Sequence, residues 1–370
     1  MEFTVRKFDL QQELTLIQGV VERKTTIPIL ANVLVRAEGG ELGIVATDLE
    51  LGLRSVCPSK TTVAGTITLP AKRLYEIVRA LPDREIKFKR GDANWVTVTC
   101  GTSRFRIAGL PQEDFPSLPQ PKGPFTNIPS DVLSKLITHT IFAISTEDSK
   151  YTLSGALLVL KPGSITMVAT DGHRLAHVEK SEALEDVTEE IKVLVPKKAM
   201  AELVRIISET AETVAVGFSR DDNHLFFNVG SRLLISRMLT GQFPNFEAVL
   251  PRSNDRTVKV SRDEITSAIK RAAILSDERS KTVKIALSKG SMEITASHSD
   301  LGEAHETLEV DYDREDLQVG FNYQYLLDFL GTTDESDVNF EFKDSESAAQ
   351  LRTQPSGDYN YRYVVMPMRI

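Results

Sequence analysis

The chain has 370 residues, 41% of them hydrophobic and 26% charged, with a net charge of −8 and a pI near 5.5. Such a balance fits a soluble globular protein of two or three domains, and as a bare sum it argues against nucleic acid as a partner. Cys57 and Cys100 have no CxxC partner, the N-terminus lacks a basic segment followed by an apolar run, and no stretch approaches the ~20 apolar residues of a bilayer span, so the expectation is a cytoplasmic chain with no disulfide framework, secretory signal or membrane anchor.

The first predicted element is a helix that Asp9 can cap, with Leu10, Leu14, Ile17 and Val21 on one stripe. Alternating residues Leu42, Ile44 and Ala46 then mark a strand, entered through the Gly39-Gly40 turn and ending in Val45-Ala46-Thr47-Asp48. A second helix carries Leu74, Ile77, Val78 and Leu81, with Pro70 suited to its first turn. Trp95 to Cys100 alternates as a strand, and a Phe115-Pro116 loop leads into a proline-rich linker.

The same order then repeats. Ser130 or Asp131 starts a helix with Leu133, Leu136 and Ile137 on one face, and Ile165, Met167 and Ala169 alternate into Val168-Ala169-Thr170-Asp171. Pro196 heads a helix with Met200, Leu203, Val204 and Ile207, followed by a strand at Leu225 to Val229 and a Phe243-Pro244 loop. A third pass begins with the capping box Ser261-Arg262-Asp263-Glu264 and a helix through Ile265, Ile269, Ala272 and Ala273. It continues through the degraded phrase Ile294-Thr295-Ala296-Ser297, a helix after Asn322 with Leu326, Phe329 and Leu330, and a strand at Val338 to Phe342. The spacing between equivalent phrases is 123 to 127 residues, the size of a small domain and far too long for a solenoid unit. The expected fold is therefore α+β: three tandem copies of one module, each with two helices packed on antiparallel sheet, with boundaries at 1–121, 127–251 and 255–370.

Catalytic and metal signatures are not in view. His173 and His177 are four apart, but Leu175 to Val178 reads as a strand, where that spacing is ~13 Å, and no third ligand accompanies them. There is no phosphate-binding glycine loop ending in Lys-Ser/Thr and no Gly-x-Ser-x-Gly elbow. Asp171 and His173 admit an acid/base reading. The simpler one is a Thr-Asp-Gly turn, because Asp48 holds the matching place in the first copy with no histidine beside it. No metal, cofactor or catalytic residue is expected.

Positive charge is concentrated on helices. Residues 70–84 and 195–208 are each +2 and 261–275 is +1, while all six helical segments total +3 and leave −11 for the rest. These are either solvated helix faces or one surface that attracts a polyanion. In the second case lysine and arginine without base-reading amides would hold a phosphate backbone without reading sequence.

With three such modules, the chain resembles the bacterial DNA polymerase III β subunit family, the sliding clamps. The likeness covers nearly the whole length. It is carried by Val168-Ala169-Thr170-Asp171-Gly172-His173-Arg174-Leu175-Ala176, by Arg271-Ala272-Ala273-Ile274-Leu275-Ser276, by Phe115-Pro116, and by Tyr363-Val364-Val365-Met366-Pro367-Met368-Arg369. The resemblance implies half of a closed ring, completed by a head-to-tail homodimer, with helices inside and sheets outside. It implies no catalysis: the ring surrounds duplex DNA without regard to sequence and tethers the replicative polymerase for processive synthesis. An ATP-driven loader opens it, and other polymerases and repair proteins dock through short linear peptides.

By the same resemblance, the peptide pocket falls on Leu153, Thr170, Gly172, His173, Arg174, Leu175, Pro244, Val249, Asn322, Tyr325, Val364, Met366 and Arg369. Val364 to Met366 also reads as a last core strand. The ring seam falls on Phe105 and Ile107 against Ile274 and Leu275, with an ordinary core as the alternative for these four, and DNA contact falls on Lys24, Arg73, Lys150, Tyr151, Lys198 and Arg205. Thr152, Ala248 and Ile370 depart from common family choices, and Ala248 leaves the pocket rim less polar.

Overall fold

A computed structural model describes every residue except 22–25, 148, 185, 211–213, 354–358 and 370. The first copy of the repeat runs β1 (Glu2–Arg6), α1 (Lys7–Ile17), β2 (Asn32–Glu38), β3 (Glu41–Thr47), β4 (Leu51–Pro58), β5 (Lys60–Val63), β6 (Gly65–Pro70), α2 (Ala71–Ala80), β7 (Glu85–Arg90), β8 (Trp95–Cys100) and β9 (Ser103–Ala108). The second runs β10 (Thr126–Pro129), α3 (Ser130–Thr138), β11 (Gly155–Lys161), β12 (Ser164–Thr170), β13 (Arg174–Ser181), β14 (Ile191–Pro196), α4 (Lys197–Ser208), β15 (Ala215–Arg220), β16 (His224–Val229) and β17 (Arg232–Arg237). The third runs β18 (Arg256–Ser261), α5 (Arg262–Ala273), β19 (Thr282–Ser288), β20 (Ser291–His298), β21 (Gly302–Glu309), β22 (Leu317–Asn322), α6 (Tyr323–Leu330), β23 (Asp337–Phe342), β24 (Ala349–Thr353) and β25 (Tyr359–Val365).

One wiring rule generates all the sheets. In each copy the first strand and the last three form one ladder, and four strands between the helices form another; the first copy has a fifth strand there, β5, which joins β1 at the edge of the first ladder. Two of these ladders then fuse at each junction between copies. The last strand of the second copy, β17, pairs antiparallel with β4 of the first, with Arg232 opposite Ser55. The last strand of the third copy, β25, pairs antiparallel with β13 of the second, with Leu175 opposite Val364. Both junctions therefore join a last strand to the third strand of a neighbour's middle ladder.

Two compact units result: residues Met1–Ser134 with Lys198–Met238, and Lys135–Lys197 with Leu239–Ile370. The first unit contains the eight-stranded sheet β10-β15-β16-β17-β4-β3-β2-β6 and a five-stranded sheet ending in β9. The second contains the eight-stranded sheet β14-β11-β12-β13-β25-β24-β23-β18 and a four-stranded sheet ending in β21. Period-two burial along the strands makes the cores, as in β1, where Phe3 and Val5 are buried and Phe3 stacks on Phe88 at 4.7 Å. Cys57 and Cys100 are free and buried, and burial together with the charges of Glu13 and Asp9 pushes the Cys57 thiol up to about 12.

The local signals at helix starts need two corrections. Asp9 does not cap α1. The cap position is Arg6, and Asp9 lies in the first turn, bridged to the Arg6 guanidinium at 2.7 Å. The acid still meets the positive end of the helix, where it is stabilising. Pro70 and Pro196 do not enter their helices either. Each is the last residue of a strand, so its fixed φ serves the strand-to-helix corner. Ser261 behaves as expected, its hydroxyl accepting from the Glu264 N–H.

Candidate peptide site

The repeated Thr-Asp phrase is a turn in both copies. Asp171 Oδ1 accepts from the backbone N–H of His173 and Arg174 at 2.9 and 3.0 Å, while Thr170 Oγ1 donates to the Arg174 carbonyl and accepts from the Gly172 N–H. Asp48 and Thr47 make the same four bonds around Leu49 to Leu51. The turn needs positive φ at its centre. Gly172 adopts +94° without a Cβ to object, whereas Leu49 is forced to +78°. This geometry accounts for Asp171 fully as a turn former, which removes the ground for reading it as an acid/base partner of His173.

Directly beside the second turn lies a cavity of about 130 Å³, lined by Leu153, Thr170, Gly172, His173, Arg174, Leu175, Pro244, Phe246, Val249, Val364 and Met366. Ten of these eleven residues are ones the family resemblance nominated. The floor is sheet: Thr170, Leu175 and Val364 are neighbours across β12, β13 and β25. Leu175 and Val364 are only 2% and 1% exposed, and they belong to a buried cluster with Leu157, Val168, Leu194 and Phe243. Val364 is therefore core and floor at once. Val249 and Met366, at 43% and 44% exposed, form an apolar rim that water would leave on contact with an apolar ligand.

Arg174 fixes one wall. Its guanidinium bonds Asp171 Oδ2 at 3.0 Å, Asp328 Oδ2 at 2.5 Å and the Phe142 carbonyl at 2.7 Å, and lies 4.3 Å from the centre of the Tyr325 ring. Tyr325 thus braces the wall from behind. Asn322 caps α6 by accepting from the Gln324 N–H, and Arg369 lines a separate hollow with Thr282 and His305, so neither lines this cavity. Phe246 was missed. Its signal was the loop repeat, because Phe243-Pro244-Asn245-Phe246 matches Phe115-Pro116-Ser117-Leu118.

The other nominated residues divide. Lys24 lies outside the described residues. Arg73 is exposed and pairs with Glu76 at 2.8 Å. Lys198 pairs with Asp48. Arg205 is engaged by its own fold: it pairs with Glu202 at 2.6 Å and donates to the Thr15 and Leu16 carbonyls near the end of α1. That leaves it poorly placed to grip phosphate. The crowding reaches Gly19, where a Cβ would run into the Glu202 carboxylate. Lys150 bonds the Asp171 carbonyl at 3.1 Å and therefore stands at the cavity turn, next to the half-exposed Tyr151. Of the four seam residues, Ile274 is 75% and Phe105 37% exposed and Leu275 is half-buried, whereas Ile107 is buried in its own sheet opposite Val96.

Compared with known proteins, the chain matches the DNA polymerase III beta subunit in three consecutive stretches: the N-terminal domain over residues 1–119, the central domain over 127–245 and the C-terminal domain over 247–369. It is 36% identical to the beta sliding clamp of Pseudomonas putida over 372 residues and 38% identical to that of Caulobacter vibrioides over 379, with all of each chain covered. Its fold is similar to the crystal structure of the DNA polymerase III subunit beta from Pseudomonas aeruginosa, with a TM-score of 0.94 at 36% identity over the full length of both chains. A Pseudomonas aeruginosa sliding clamp bound to griselimycin matches equally, at a TM-score of 0.94 with 36% identity and both chains fully covered.

Proposed function

Because the chain belongs to the DNA polymerase III beta subunit family, we propose that two copies join head to tail into a ring around duplex DNA, and that the cavity beside Gly172 holds short linear peptides of the polymerase, its loader and other partners. The chain is a DNA sliding clamp with a three-domain α+β fold, a processivity factor and not a catalyst. Its modules are taken as 1–121, 127–251 and 255–370, and its place of action as the cytoplasm.

The observation that carries ring closure is the wiring rule. Each internal junction joins a last strand to the third strand of a neighbour's middle ladder, as β17 joins β4 and β25 joins β13. Applied once more, the rule pairs β9 with β21 of a second copy. Both are edge strands with an unpaired side. An exposed edge is a template for pairing. Their charges are complementary: β9 carries Arg104 and Arg106, and β21 carries Glu303, Glu306 and Glu309. Phe105 and Ile274 supply exposed apolar surface for the same contact. Two different surfaces meeting head to tail make a ring when the rotation closes.

A closed ring separates retention from contact strength: weak phosphate contacts permit sliding, and topology prevents escape. The test is loading onto nicked circular plasmid with the family's loader. The clamp should survive a high-salt wash on the circle and be lost once the plasmid is cut to a line. Equal retention on both forms would overturn encirclement.

A further inference from the structure

The sheet face that floors the cavity continues past it. Side chains two apart on a strand share a face. From the row Thr170, Leu175, Val364, the same face steps to the row Val168, His177, Arg362, and then to Thr166, Glu179, Asn360. His177 and Arg362 of the second row, with the third row, floor another hollow of about 230 Å³, which shares Phe246 with the apolar cavity. Phe246 stands between the two, its ring 5.7 Å from the His177 imidazole. Along this one sheet face the lining thus changes from apolar to polar within ~7 Å, two residues of an extended strand.

The chemistry of the middle row is cationic. Arg362 is held from behind, bonding Gln350 Oε1 at 2.7 Å and the Pro251 carbonyl at 3.0 Å, and among the described residues no carboxylate lies within ion-pair distance of it. His177 is 7% exposed, and its Nδ1 has no hydrogen-bond partner. Lys161 and Lys192 at the far wall share the single carboxylate of Glu190, at 3.3 and 2.6 Å. The first copy of the repeat fills the equivalent place with its own chain. Arg54 stands where His177 does and donates to the Leu118 carbonyl at 2.9 Å. Leu118 matches Phe246 and packs within 3.0 Å of where a Cβ on Gly52 would lie. In the second copy that internal ligand is replaced by an open hollow and by Arg362, which has no ion-pair partner among the described residues.

We propose that this hollow is a second subsite of the peptide groove, which takes the carboxylate of an Asp or Glu two residues from the apolar anchor. The proposal rests on the cavity being a peptide site. Position matters, because Glu179 and Glu247 border the hollow without ion-pair partners among the described residues. Glu179 belongs to the third row, so an acid four residues from the anchor meets a like charge instead of Arg362.

Fluorescence anisotropy on the full chain tests this with a leucine- and phenylalanine-anchored peptide carrying Glu or Gln at the second or fourth residue on either side of the anchor. The Glu peptide with the acid at the second residue on one side should bind about fivefold or more tighter than its Gln counterpart at low salt, since charge-assisted hydrogen bonds are stronger than neutral ones and screening weakens them. The fourth-residue Glu should gain nothing. The Glu-to-Gln affinity ratio should fall to one in Arg362→Gln and be partly kept in Arg362→Lys. Equal binding of all Glu and Gln peptides by the unaltered protein, or a ratio unchanged in Arg362→Gln, would overturn the subsite while leaving the cavity intact. Failure of every anchored peptide to bind would overturn the cavity reading and the subsite with it.

Discussion

Burial holds the His177 imidazole neutral and, with the neighbouring Arg362 charge, lowers its pKa from 6.5 to about 4. In the unfolded chain the ring takes a proton as the pH drops through 6.5, whereas the folded protein resists until about 4. The unfolded state then binds more protons, so stability is complete above 6.5 and is lost as pH falls through that window, by roughly 3 kcal/mol in full. His177→Leu should remove this dependence: the variant should lose less stability than the parent between pH 6.5 and 4 in thermal unfolding scans. Parallel losses in both proteins would show that the imidazole is not responsible. The Cys57 thiol belongs to the same scale. Pushed up to about 12, it stays protonated and should resist alkylation in the native state.

Between elements, one buried ion pair ties α1 of the first copy to β17 of the second. Glu13 on α1 and Arg232 on β17 form a two-pronged ion pair at 2.6 and 2.9 Å, with both side chains about 6% exposed, and Arg232 also donates to Thr210. Removing either partner strands a buried charge. Glu13→Ala or Arg232→Ala should therefore cost about 3–5 kcal/mol in denaturant unfolding, while Glu13→Leu combined with Arg232→Met should cost less than either single change. Additive losses would mean the two side chains act independently. This pair was not legible in the sequence, because its members are 219 residues apart and Glu13 reads as one more polar position beside a helical stripe. What was legible is whatever repeats locally: the alternation of β3, β12 and β20, the helical spacing after Pro70 and Pro196, and the turn around Asp48 and Asp171. The wall built by Arg174 joins Phe142, Asp171, Tyr325 and Asp328, and only the packing of separate elements brings those together. Phe246 had only the loop repeat to mark it, through its match to Leu118, and that match does not say that the ring borders a cavity.

For the whole molecule, the proposed ring makes the seam between protomers a repetition of junctions the chain already contains. It differs from them in being held by mass action alone. The internal junctions lie within one chain, whereas β9 and β21 would meet only when two copies associate. Phe105 lies between Arg104 and Arg106 on the edge strand, so an aspartate there places an acid against the acidic β21. Ile274, at the end of α5, would bury a carboxylate without a partner. Each change should cost at least about 3 kcal/mol per seam, and the proposed ring has two seams, so the dimer dissociation constant should rise roughly ten-thousandfold. Sedimentation at micromolar concentration should find monomers for Phe105→Asp and for Ile274→Asp, with unfolding temperatures close to the parent's because neither site is core. A dimer that survives both changes would place the seam elsewhere. A monomer that has also lost its cooperative unfolding would mean that Phe105 or Ile274 supports its own module instead of a partner's.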